Sequence, residues 1–212
     1  IQGIITMIGV INYGAGNLKS VCNSLSAMNA KAKLVKSPED LCEVTSIIFP
    51  GVGSFGDSAH HLEEQKLSAP LKNWITDDRP FLGICIGFQM LFEASDESPE
   101  AMGLGIFPGK VVRFDQNQSF KIPHMGWNKI IKKQKSDPIW EGLEEDPYFY
   151  FVHSFYPKPD DSKIIASTTP YGCEFTSSVR RGNLFATQFH PEKSQGAGLR
   201  LIRNFLSLNS EI

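Results

Sequence analysis

Hydrophobic positions in the first half of the chain form short runs that alternate with segments of helical spacing. The apolar runs predict buried strands at residues 8–11, 32–35, 46–49 and 81–84. Apolar residues spaced three and four apart predict helices between them, starting at residue 17, at residue 37 and within residues 61–74. Strands that alternate with helices at this spacing are typical of a parallel, doubly wound sheet flanked by helices.

The second half has a different pattern, in which short strands follow one another with little helix between them. These strands are predicted at residues 106–114, 127–132, 148–153, 163–168, 175–180 and 183–189. A last helix is predicted from Ser194, with one apolar face formed by Leu199, Ile202, Phe205 and Leu206. The predicted fold class is α/β, with a doubly wound, mostly parallel central sheet and an additional mixed or antiparallel region. We expect one domain over residues 7–210, preceded by an extension or leftover segment at residues 1–6.

Composition excludes several functional classes. The 212 residues are 41% hydrophobic and 21% charged, with a formal net charge of -2, which fits a globular protein without the basic surface that binds nucleic acid. No apolar run is long enough to span a bilayer, and residues 1–6 lack the charged start of a signal peptide. Four irregularly spaced cysteines show neither a zinc pattern nor a disulfide scaffold, so we expect a reduced, cytoplasmic protein without a metal.

Cys85 stands between the predicted strand at residues 81–84 and a segment of helical spacing. Gly83 and Gly87 remove side chains on either side of this corner, a layout typical of a nucleophile elbow. Unpaired backbone N–H groups at the start of a helix favour a thiolate, so Cys85 is a candidate nucleophile. The alternative, which this stretch leaves open, is a buried structural cysteine.

Two glycine-rich turns follow other predicted strands. Residues 50–56 (Pro-Gly-Val-Gly-Ser-Phe-Gly) form either a loop whose N–H groups stabilise an oxyanion or an ordinary turn between strand and helix. Residues 12–17 (Asn-Tyr-Gly-Ala-Gly-Asn) lack the G-x-G-x-x-G spacing of dinucleotide-binding loops, so we interpret them as a tight turn near a ligand or partner. Doubly wound sheets bind ligands at the carboxyl ends of their strands, where the loop at 50–56 and Cys85 are both expected.

The last predicted strand leads into a histidine and a glutamate separated by one proline. If Pro191 keeps this run extended, His190 and Glu192 project to the same side, as a base and the carboxylate that orients it. Together with Cys85, the pair favours catalysis over a satisfied surface or core histidine. The other histidines show no comparable arrangement and are interpreted as structural: His60, His61, His124 and His153.

Two more segments have an open interpretation. The acidic run within residues 95–102 is interpreted as a solvated surface rather than a site. Residues 123–128 (Pro-His-Met-Gly-Trp-Asn) are predicted as a turn, in which Trp127 is either a core residue or an anchor for a partner.

Two motifs resemble those of the class I, triad-type glutamine amidotransferases. They are Gly-Ile-Cys-Ile-Gly-Phe-Gln at residues 83–89 and His-Pro-Glu at residues 190–192. Ile86 and Phe88 stand where leucine and methionine are commoner in that family, and both keep the apolar character. The resemblance runs from Met7 to near the end of the chain and implies a flavodoxin-like fold. Within that family the chain most resembles the glutaminase subunits of imidazole glycerol phosphate synthase. The segments that carry this resemblance are 12–17, 50–56, 123–128 and 188–194.

This resemblance implies a set of site residues for the hydrolysis of L-glutamine. They are a catalytic triad of Cys85, His190 and Glu192, oxyanion-binding backbone at Gly51, Val52, Gly53 and Ile86, and substrate-binding groups at Gln89, Ser154 and Phe155. In this reading the cysteine forms a glutamyl thioester and the histidine transfers protons. No cofactor is implied.

The same resemblance implies a partner subunit. A cyclase with a (β/α)8 barrel would form a heterodimer with this chain, receive its ammonia and make imidazole glycerol phosphate and aminoimidazole carboxamide ribonucleotide in histidine biosynthesis. Candidate interface residues are Asn12, Trp127 and Lys193. The loop at residues 50–54 is expected to become active only when the barrel holds its nucleotide ligand, and its Gly-Val-Gly sequence suits a peptide that must flip.

Two other functions remain open at this point. A glutaminase subunit of pyridoxal phosphate synthase belongs to the same class, but we expect it to have another loop after the third strand and no segment like 123–128. A non-catalytic scaffold can keep the fold alone, although the intact Cys85, His190 and Glu192 argue against it. Glutamate release and thiol labelling distinguish these functions.

Overall fold

The structure is a computed structural model that describes residues 7–14, 18–115 and 120–208. Within these ranges the strands are Met7–Ile11 (β1), Lys31–Val35 (β2), Ser46–Gly51 (β3), Phe81–Cys85 (β4), Phe92–Ser95 (β5), Phe107–Arg113 (β6), His124–Lys129 (β7), Ile131–Lys132 (β8), Tyr148–His153 (β9), Phe155–Pro159 (β10), Ile165–Tyr171 (β11), Cys173–Arg181 (β12) and Leu184–Thr187 (β13). The α-helices of the same ranges are Leu18–Ala27 (α1), Phe55–Glu64 (α2), Ser68–Thr76 (α3), Ile86–Gln89 (α4) and Gln195–Leu208 (α5). Short 3-10 helices span Pro38–Glu43, Pro138–Trp140, Ser162–Ile164 and Pro191–Lys193.

The central sheet has eight strands in the order β2-β1-β3-β4-β13-β12-β11-β8. The first five are parallel to one another, and the last three continue the sheet in antiparallel pairs. A three-stranded sheet (β10-β6-β5) and the two-stranded pair of β7 and β9 lie apart from it. This architecture confirms the predicted α/β class, including the antiparallel region of the second half.

Two hydrophobic cores lie on opposite faces of the central sheet. Successive residues of β3 point to opposite faces, so Phe49 joins the core that includes α2 and α3, while Ile48 joins the core that includes α1 and α5. Both side chains are fully buried, and each burial stabilises the fold by about 1.5–3 kcal/mol. Helices therefore cover both faces, and the carboxyl ends of the parallel strands remain available for a site.

The segment at residues 61–74, predicted as one helical region, contains the end of α2 and most of α3. Lys66 has a left-handed backbone with φ 57°, and the N–H groups of Lys66 and Leu67 donate to the carbonyl oxygens of Glu63 and Leu62 at 2.9 and 2.8 Å. This pair of bonds is the Schellman arrangement that ends helices. The left-handed position holds lysine rather than the usual glycine, so the sequence pattern contained no stop signal.

The segment at residues 123–128, predicted as a turn, is mostly strand β7. It pairs antiparallel with β9, and Trp127 lies opposite Tyr150. The predicted strand at 127–132 is divided between β7 and β8, while β5 and β10 were not predicted and flank β6. These strands are held by partners distant in the chain, so their local patterns were weak.

Some sequence predictions fall outside the described residues. They concern residues 1–6, Ala15, Gly16 and Asn17 of the first glycine-rich turn, and residues 209–210 at the end of the predicted domain. Among the helices that the structure describes, none has the length and apolar character needed to cross a membrane.

Candidate active site

Three parallel strands of the central sheet, β3, β4 and β13, end side by side. In the register between β3 and β4, Gly51 lies opposite Cys85. Strand β13 ends at Thr187, three residues before His190. Because parallel strands end at the same edge of a sheet, this order brings together the cysteine, the glycine-rich loop and the histidine that the sequence singled out.

Cys85 occupies a sharp corner between a strand and a helix. It is the last residue of β4, and α4 begins at the next residue, as the sequence predicts. Its φ of 55° and ψ of -103° form a backbone conformation that costs roughly 1–3 kcal/mol for a residue with a side chain. A Cβ atom at Gly87 would overlap the carbonyl oxygen of Phe49, and one at Gly83 would lie 2.8 Å from the carbonyl oxygen of Gly87. The two glycines therefore permit the corner.

His190 and Glu192 form a buried pair beside this corner. Nδ1 of His190 lies 2.8 Å from Oε1 of Glu192, and the two side chains are 1% and 2% exposed. The expected extended geometry is wrong, because Pro191–Lys193 forms a 3-10 turn. The turn is closed by Lys193 and Ser194, which donate to the carbonyl oxygen of His190 at 3.0 and 2.6 Å. The pair meets through this turn rather than through the alternation of a strand.

The electrostatics of His190 favour its protonated form. Burial lowers the pKa of His190, but the charge of Cys85 and the hydrogen bonding of His190 with Cys85 and Glu192 outweigh it and raise this pKa to about 10. Nδ1 of His190 contacts Glu192, and Nε2 is buried. The proton on Nδ1 is directed at Glu192, so Nε2 is the nitrogen left for proton transfer.

A chain of side-chain amides connects the pocket to the cysteine. Nε2 of Gln89 donates to the carbonyl oxygen of Phe155 at 3.1 Å and to Oε1 of Gln188 at 3.2 Å. Nε2 of Gln188 in turn donates to Sγ of Cys85 at 3.6 Å. Sequence reasoning gave Gln188 no role, although it stands in the same segment as His190, because nothing local shows that its side chain turns toward Cys85.

A cavity of about 290 Å³ opens above Cys85. Most of the expected site residues line it, namely Val52, Gly53, Cys85, Ile86, Gln89, Ser154 and Phe155. Gly51, His190 and Glu192 are not in its wall; Gly51 lies next to it as the strand partner of Cys85. The cavity gathers residues from five separate parts of the chain, at positions 52–53, 85–89, 97, 123 and 152–155, which is typical of a small-molecule site.

Glu97 belongs to this cavity, contrary to the expectation for its segment. The acidic run at residues 95–102 was interpreted as a solvated surface, yet Glu97 lines the pocket. Its Oε2 accepts a hydrogen bond from the backbone N–H of Phe55 at 2.7 Å, at the start of α2. That contact joins positions 42 residues apart, and the sequence contains no signal for it.

The glycine-rich loop is packed against a buried tyrosine that the sequence did not single out. Tyr13 is 1% exposed, and burial raises the pKa of its hydroxyl to about 12. A Cβ atom at Gly51 would collide with that hydroxyl and would lie 2.6 Å from the side chain of Ile86. Gly53 has φ 123°, a conformation that suits glycine. The loop therefore needs both glycines.

His124 and His153 were interpreted as lacking a partner arrangement, and the structure shows one. Nδ1 of His124 lies 3.0 Å from Nε2 of His153, whose Nδ1 lies 2.9 Å from the carbonyl oxygen of Phe155. Burial lowers the pKa of His124 to about 4 and that of His153 to about 3. Both rings are therefore neutral at neutral pH, and they support the same carbonyl as Gln89.

Two of the three candidate interface residues share a neighbour, Tyr150. Trp127 is 47% exposed, and its ring meets the ring of Tyr150 with centroids 6.3 Å apart. Nζ of Lys193 lies 5.8 Å from the centroid of the same tyrosine. Asn12 follows β1, where its carbonyl oxygen accepts a hydrogen bond from Gln65. Tyr150 therefore contacts two of the three candidate interface residues. Its position beside them follows from the pairing of β9 with β7, which the sequence did not predict.

The described residues include no group of three or more histidine, cysteine, aspartate or glutamate side chains that could hold a metal ion. All four cysteines, Cys22, Cys42, Cys85 and Cys173, are free. The geometry places a thiol beside a protonated imidazole that a carboxylate orients.

Comparison with known proteins shows which sequences and structures the chain is similar to. The family model described as "Glutamine amidotransferase class-I" matches residues 9–208. The chain is similar to imidazole glycerol phosphate synthase subunit HisH of Rhodopirellula baltica, with 43% identity over 97% of this chain and 100% of that protein. It is also similar to the subunit of the same name from Desulfitobacterium hafniense, with 46% identity over 94% of this chain and 93% of that protein.

Among solved structures, the chain resembles PurLQS from Thermotoga maritima. The TM-score is 0.77 at 19% identity, and the match covers 97% of this chain and 99% of that chain. At this identity the likeness concerns the fold alone, and it agrees with the sheet order described above.

Proposed function

This chain is an enzyme of the class-I glutamine amidotransferase family and belongs there to the group of imidazole glycerol phosphate synthase HisH subunits, and on that premise we propose that Cys85, His190 and Glu192 hydrolyse glutamine. The supporting observation is the buried 2.8 Å hydrogen bond between His190 and Glu192 beside a cysteine at a strained corner. A thiol next to a base that a third group orients is the arrangement required for nucleophilic catalysis.

In the first half of the reaction, the thiolate of Cys85 attacks the carbonyl carbon of the glutamine side chain. The C–N bond breaks as Nε2 of His190 gives its proton to the nitrogen, so ammonia leaves and a glutamyl thioester remains on the sulfur. Neutral His190 then takes a proton from water, the resulting hydroxide attacks the thioester, and the C–S bond breaks to release glutamate. Glu192 keeps the Nδ1 proton in place during both halves.

The negative oxygen that develops on the attacked carbon needs hydrogen-bond donors. Ile86 is the first residue of α4, so its backbone N–H has no partner within the helix, and the residue lines the cavity next to Cys85. We assign the second donor to the backbone of the loop formed by Gly51, Val52 and Gly53. Val52 and Gly53 line the same cavity, which supports this assignment.

The amino-acid end of glutamine carries an ammonium and a carboxylate. Both hydrogens of the Gln89 amide are used by Phe155 and Gln188, so Oε1 of Gln89 remains as an acceptor for the ammonium. The carboxylate of Glu97 supplies a negative charge in the same cavity. Backbone groups of Ser154 and Phe155 complete the set that would hold the substrate.

The relatives are named as subunits of a synthase, which supports a partner subunit. We assign the ammonia to a cyclase partner with a (β/α)8 barrel, in a heterodimer that serves histidine biosynthesis. The partner surface would include the outward face of the β7–β9 pair, where Met125, Trp127 and Tyr148 are 62%, 47% and 56% exposed. Lys193 adjoins the same surface, because its Nζ lies over the ring of Tyr150. An exposed apolar patch of this kind marks an interaction site.

We further propose that the partner's nucleotide ligand gates the reaction through the loop of Gly51, Val52 and Gly53. The loop would present its second oxyanion donor only in a flipped state, and glycine at both ends makes either sign of φ accessible. Tyr13 and Ile86 pack against Gly51 and would restrict the loop in the resting state. The ligand can change the rate only as far as it favours the flipped state.

The test is glutamate release from glutamine, measured with this chain alone, with a cyclase barrel, and with the barrel and its nucleotide ligand. We expect almost no glutamate release from the chain alone. With the loaded barrel we expect release to rise by about tenfold or more, and a tenfold rise corresponds to about 1.4 kcal/mol in favour of the flipped state. High activity of the chain alone would leave the chemistry intact and refute the gate. Absence of glutamate under all three conditions would refute the glutaminase itself.

A further inference from the structure

We propose that Gln188 is a positioning residue for the nucleophile, because its amide donates a hydrogen bond to the sulfur of Cys85 from within a chain of polarised groups. The inference rests on the proposed glutaminase function and adds to it a residue outside the triad. Gln188 is 0% exposed, so bulk solvent does not compete for its amide. The amide nitrogen of Gln188 is satisfied by the 3.6 Å contact with Sγ of Cys85.

One carbonyl group determines which group donates and which accepts in each of these hydrogen bonds. The carbonyl oxygen of Phe155 can only accept hydrogen bonds, so the amide of Gln89 must turn its nitrogen toward it. The second hydrogen of that nitrogen points at Gln188, whose side-chain oxygen has to face it. The nitrogen of Gln188 is then left facing Cys85. The opposite orientation of Gln188 would place an oxygen against the sulfur and a nitrogen against a nitrogen.

The same carbonyl also accepts a hydrogen bond from His153, which is itself paired with His124. Nδ1 of His153 donates to the carbonyl oxygen of Phe155, so its Nε2 must accept from Nδ1 of His124. Nε2 of His124 then accepts from the amide of Asn128, which also donates to the carbonyl oxygen of Pro170 at 3.0 Å. Each link has one allowed direction, and the groups are mostly buried, where hydrogen bonds strengthen one another. The carbonyl of Phe155 is therefore a fixed reference point.

This arrangement has a consequence for the chemistry at Cys85. A donor aimed at the sulfur stabilises the thiolate more than the neutral thiol and restrains the side chain that carries it. The thiolate is both the attacking group and the group that leaves the thioester, so both halves of the reaction use this contact. Loss of Gln188 should lower kcat for glutamine, while KM changes little because Gln89 keeps its bond to Phe155.

The direct test is alkylation of Cys85 by iodoacetamide at neutral pH without glutamine, followed by mass spectrometry to separate it from the other three cysteines. We expect Gln188→Leu to react about tenfold more slowly, the effect of one hydrogen bond to a charged group. Gln188→Glu should react more slowly still, because a carboxylate would face the sulfur. Gln134→Leu is the control for the same substitution at the surface, since the amide of Gln134 donates to the backbone carbonyl of Lys163 and does not contact Cys85; its rate should equal that of the wild type.

A second variant separates positioning from substrate binding. Gln89→Leu removes the donor that orients Gln188, so we expect alkylation of Cys85 to fall about threefold even though no glutamine is present. A residue that only binds substrate would leave this rate unchanged. Circular dichroism of each variant shows whether it is folded. If Gln188→Leu does not fold, Gln188→Asn takes its place, because it keeps the amide but falls short of the sulfur.

The outcomes distinguish this inference from the function on which it rests. Alkylation of folded Gln188 variants at the wild-type rate refutes the positioning role, whether or not the wild type releases glutamate. Slow alkylation in a protein that never hydrolyses glutamine would keep the contact between Gln188 and Cys85 and refute the proposed reaction. Slow alkylation together with a lower kcat and an unchanged KM supports both.

Discussion

The backbone N–H of His190 donates a hydrogen bond to the carbonyl oxygen of Tyr150 at 2.9 Å. The ring of the same tyrosine contacts Trp127 and Lys193, two residues of the proposed partner surface. Ser194 adds a second connection, because its hydroxyl donates to the carbonyl of His190 and accepts from the N–H of Tyr150. The candidate base is therefore attached to the strand on which a partner would dock, and a displacement of that strand would reach it directly.

Replacement of the nucleophile should separate the two activities of the complex. Cys85→Ala is expected to abolish glutamate release, because no other thiol lies in the cavity, and to leave synthesis from added ammonia by the cyclase unchanged. Both activities are measured on the assembled complex with its nucleotide. Cys173→Ala is the control, since Cys173 is exposed, and it should retain both. Glutamate release by the Cys85 variant would remove the nucleophile assignment.

The carboxylate of Glu192 should matter through its effect on His190. Glu192→Gln removes the charge that helps to raise the pKa of His190, and we expect kcat to fall by about a hundredfold or more. The molecule contains a matched surface pair, because Glu64 lies 3.3 Å from His60 and 3.2 Å from His61 at exposed positions. Glu64→Gln should leave kcat unchanged. Equal kcat values in the two variants would contradict the role of Glu192.

The neutral histidines should make the fold sensitive to acid. The pKa values of His124 and His153 lie below the ordinary 6.5 in the folded protein, so the unfolded chain binds protons first as the pH falls. The free energy of unfolding is therefore unaffected by the two rings above pH 6.5. It falls as the pH drops toward 4 for His124 and toward 3 for His153, by up to about 1.4 kcal/mol per pH unit for each ring. Urea denaturation across this range measures the slope.

A variant that does not titrate provides the control for that slope. His124→Gln keeps hydrogen-bonding groups but has no proton to gain, so its free energy of unfolding should depend less on pH than that of the wild type. His60→Gln, at an exposed position, should show the wild-type slope. An unchanged slope in the His124 variant would mean that other groups control the acid response.

Gly51 should tolerate no side chain, because its Cβ would collide with the hydroxyl of Tyr13 and crowd Ile86. Gly51→Ala is expected to lower the free energy of unfolding by about 1–3 kcal/mol, and addition of Tyr13→Phe should recover part of the loss. Gly196→Ala is the control, since no described atom beyond its chain neighbours and its own helix lies within 4 Å of a Cβ atom at this position. That helical variant should be equal to the wild type or more stable by up to about 1 kcal/mol. Equal stability of the two alanine variants would contradict the packing argument.

The partner surface can be tested without disturbing the site. Trp127→Ala and Lys193→Ala should weaken binding of the cyclase and its stimulation of glutamate release, each by about tenfold or more for a residue at the centre of an interface. Met102→Ala and Lys135→Ala are controls at exposed positions outside the β7–β9 pair. Titration calorimetry with the cyclase measures the affinity. Equal losses in the control variants would place the interface elsewhere.

The sequence predicted those features that depend on neighbours along the chain. The apolar runs, together with the segments of helical spacing between them, predicted the α/β class. Burial on both faces of a parallel sheet requires continuous hydrophobic strands. Gly83 and Gly87 marked the corner at Cys85 because only glycine fits so close to the backbone there. The family could be identified from two short motifs because these residues are constrained by chemistry rather than by packing.

Only the tertiary structure decided the features that depend on contacts between distant segments. The pairing of β7 with β9, the inward turn of Gln188, the entry of Glu97 into the cavity and the histidine pair behind Phe155 all join residues that lie far apart in sequence. Glu192 reaches His190 through a 3-10 turn, where the sequence favoured an extended run. The type of a side chain determines which groups it can bind. Which partner it meets depends on the order of the strands and on the loops that pack over the sheet, and both depend on the whole chain.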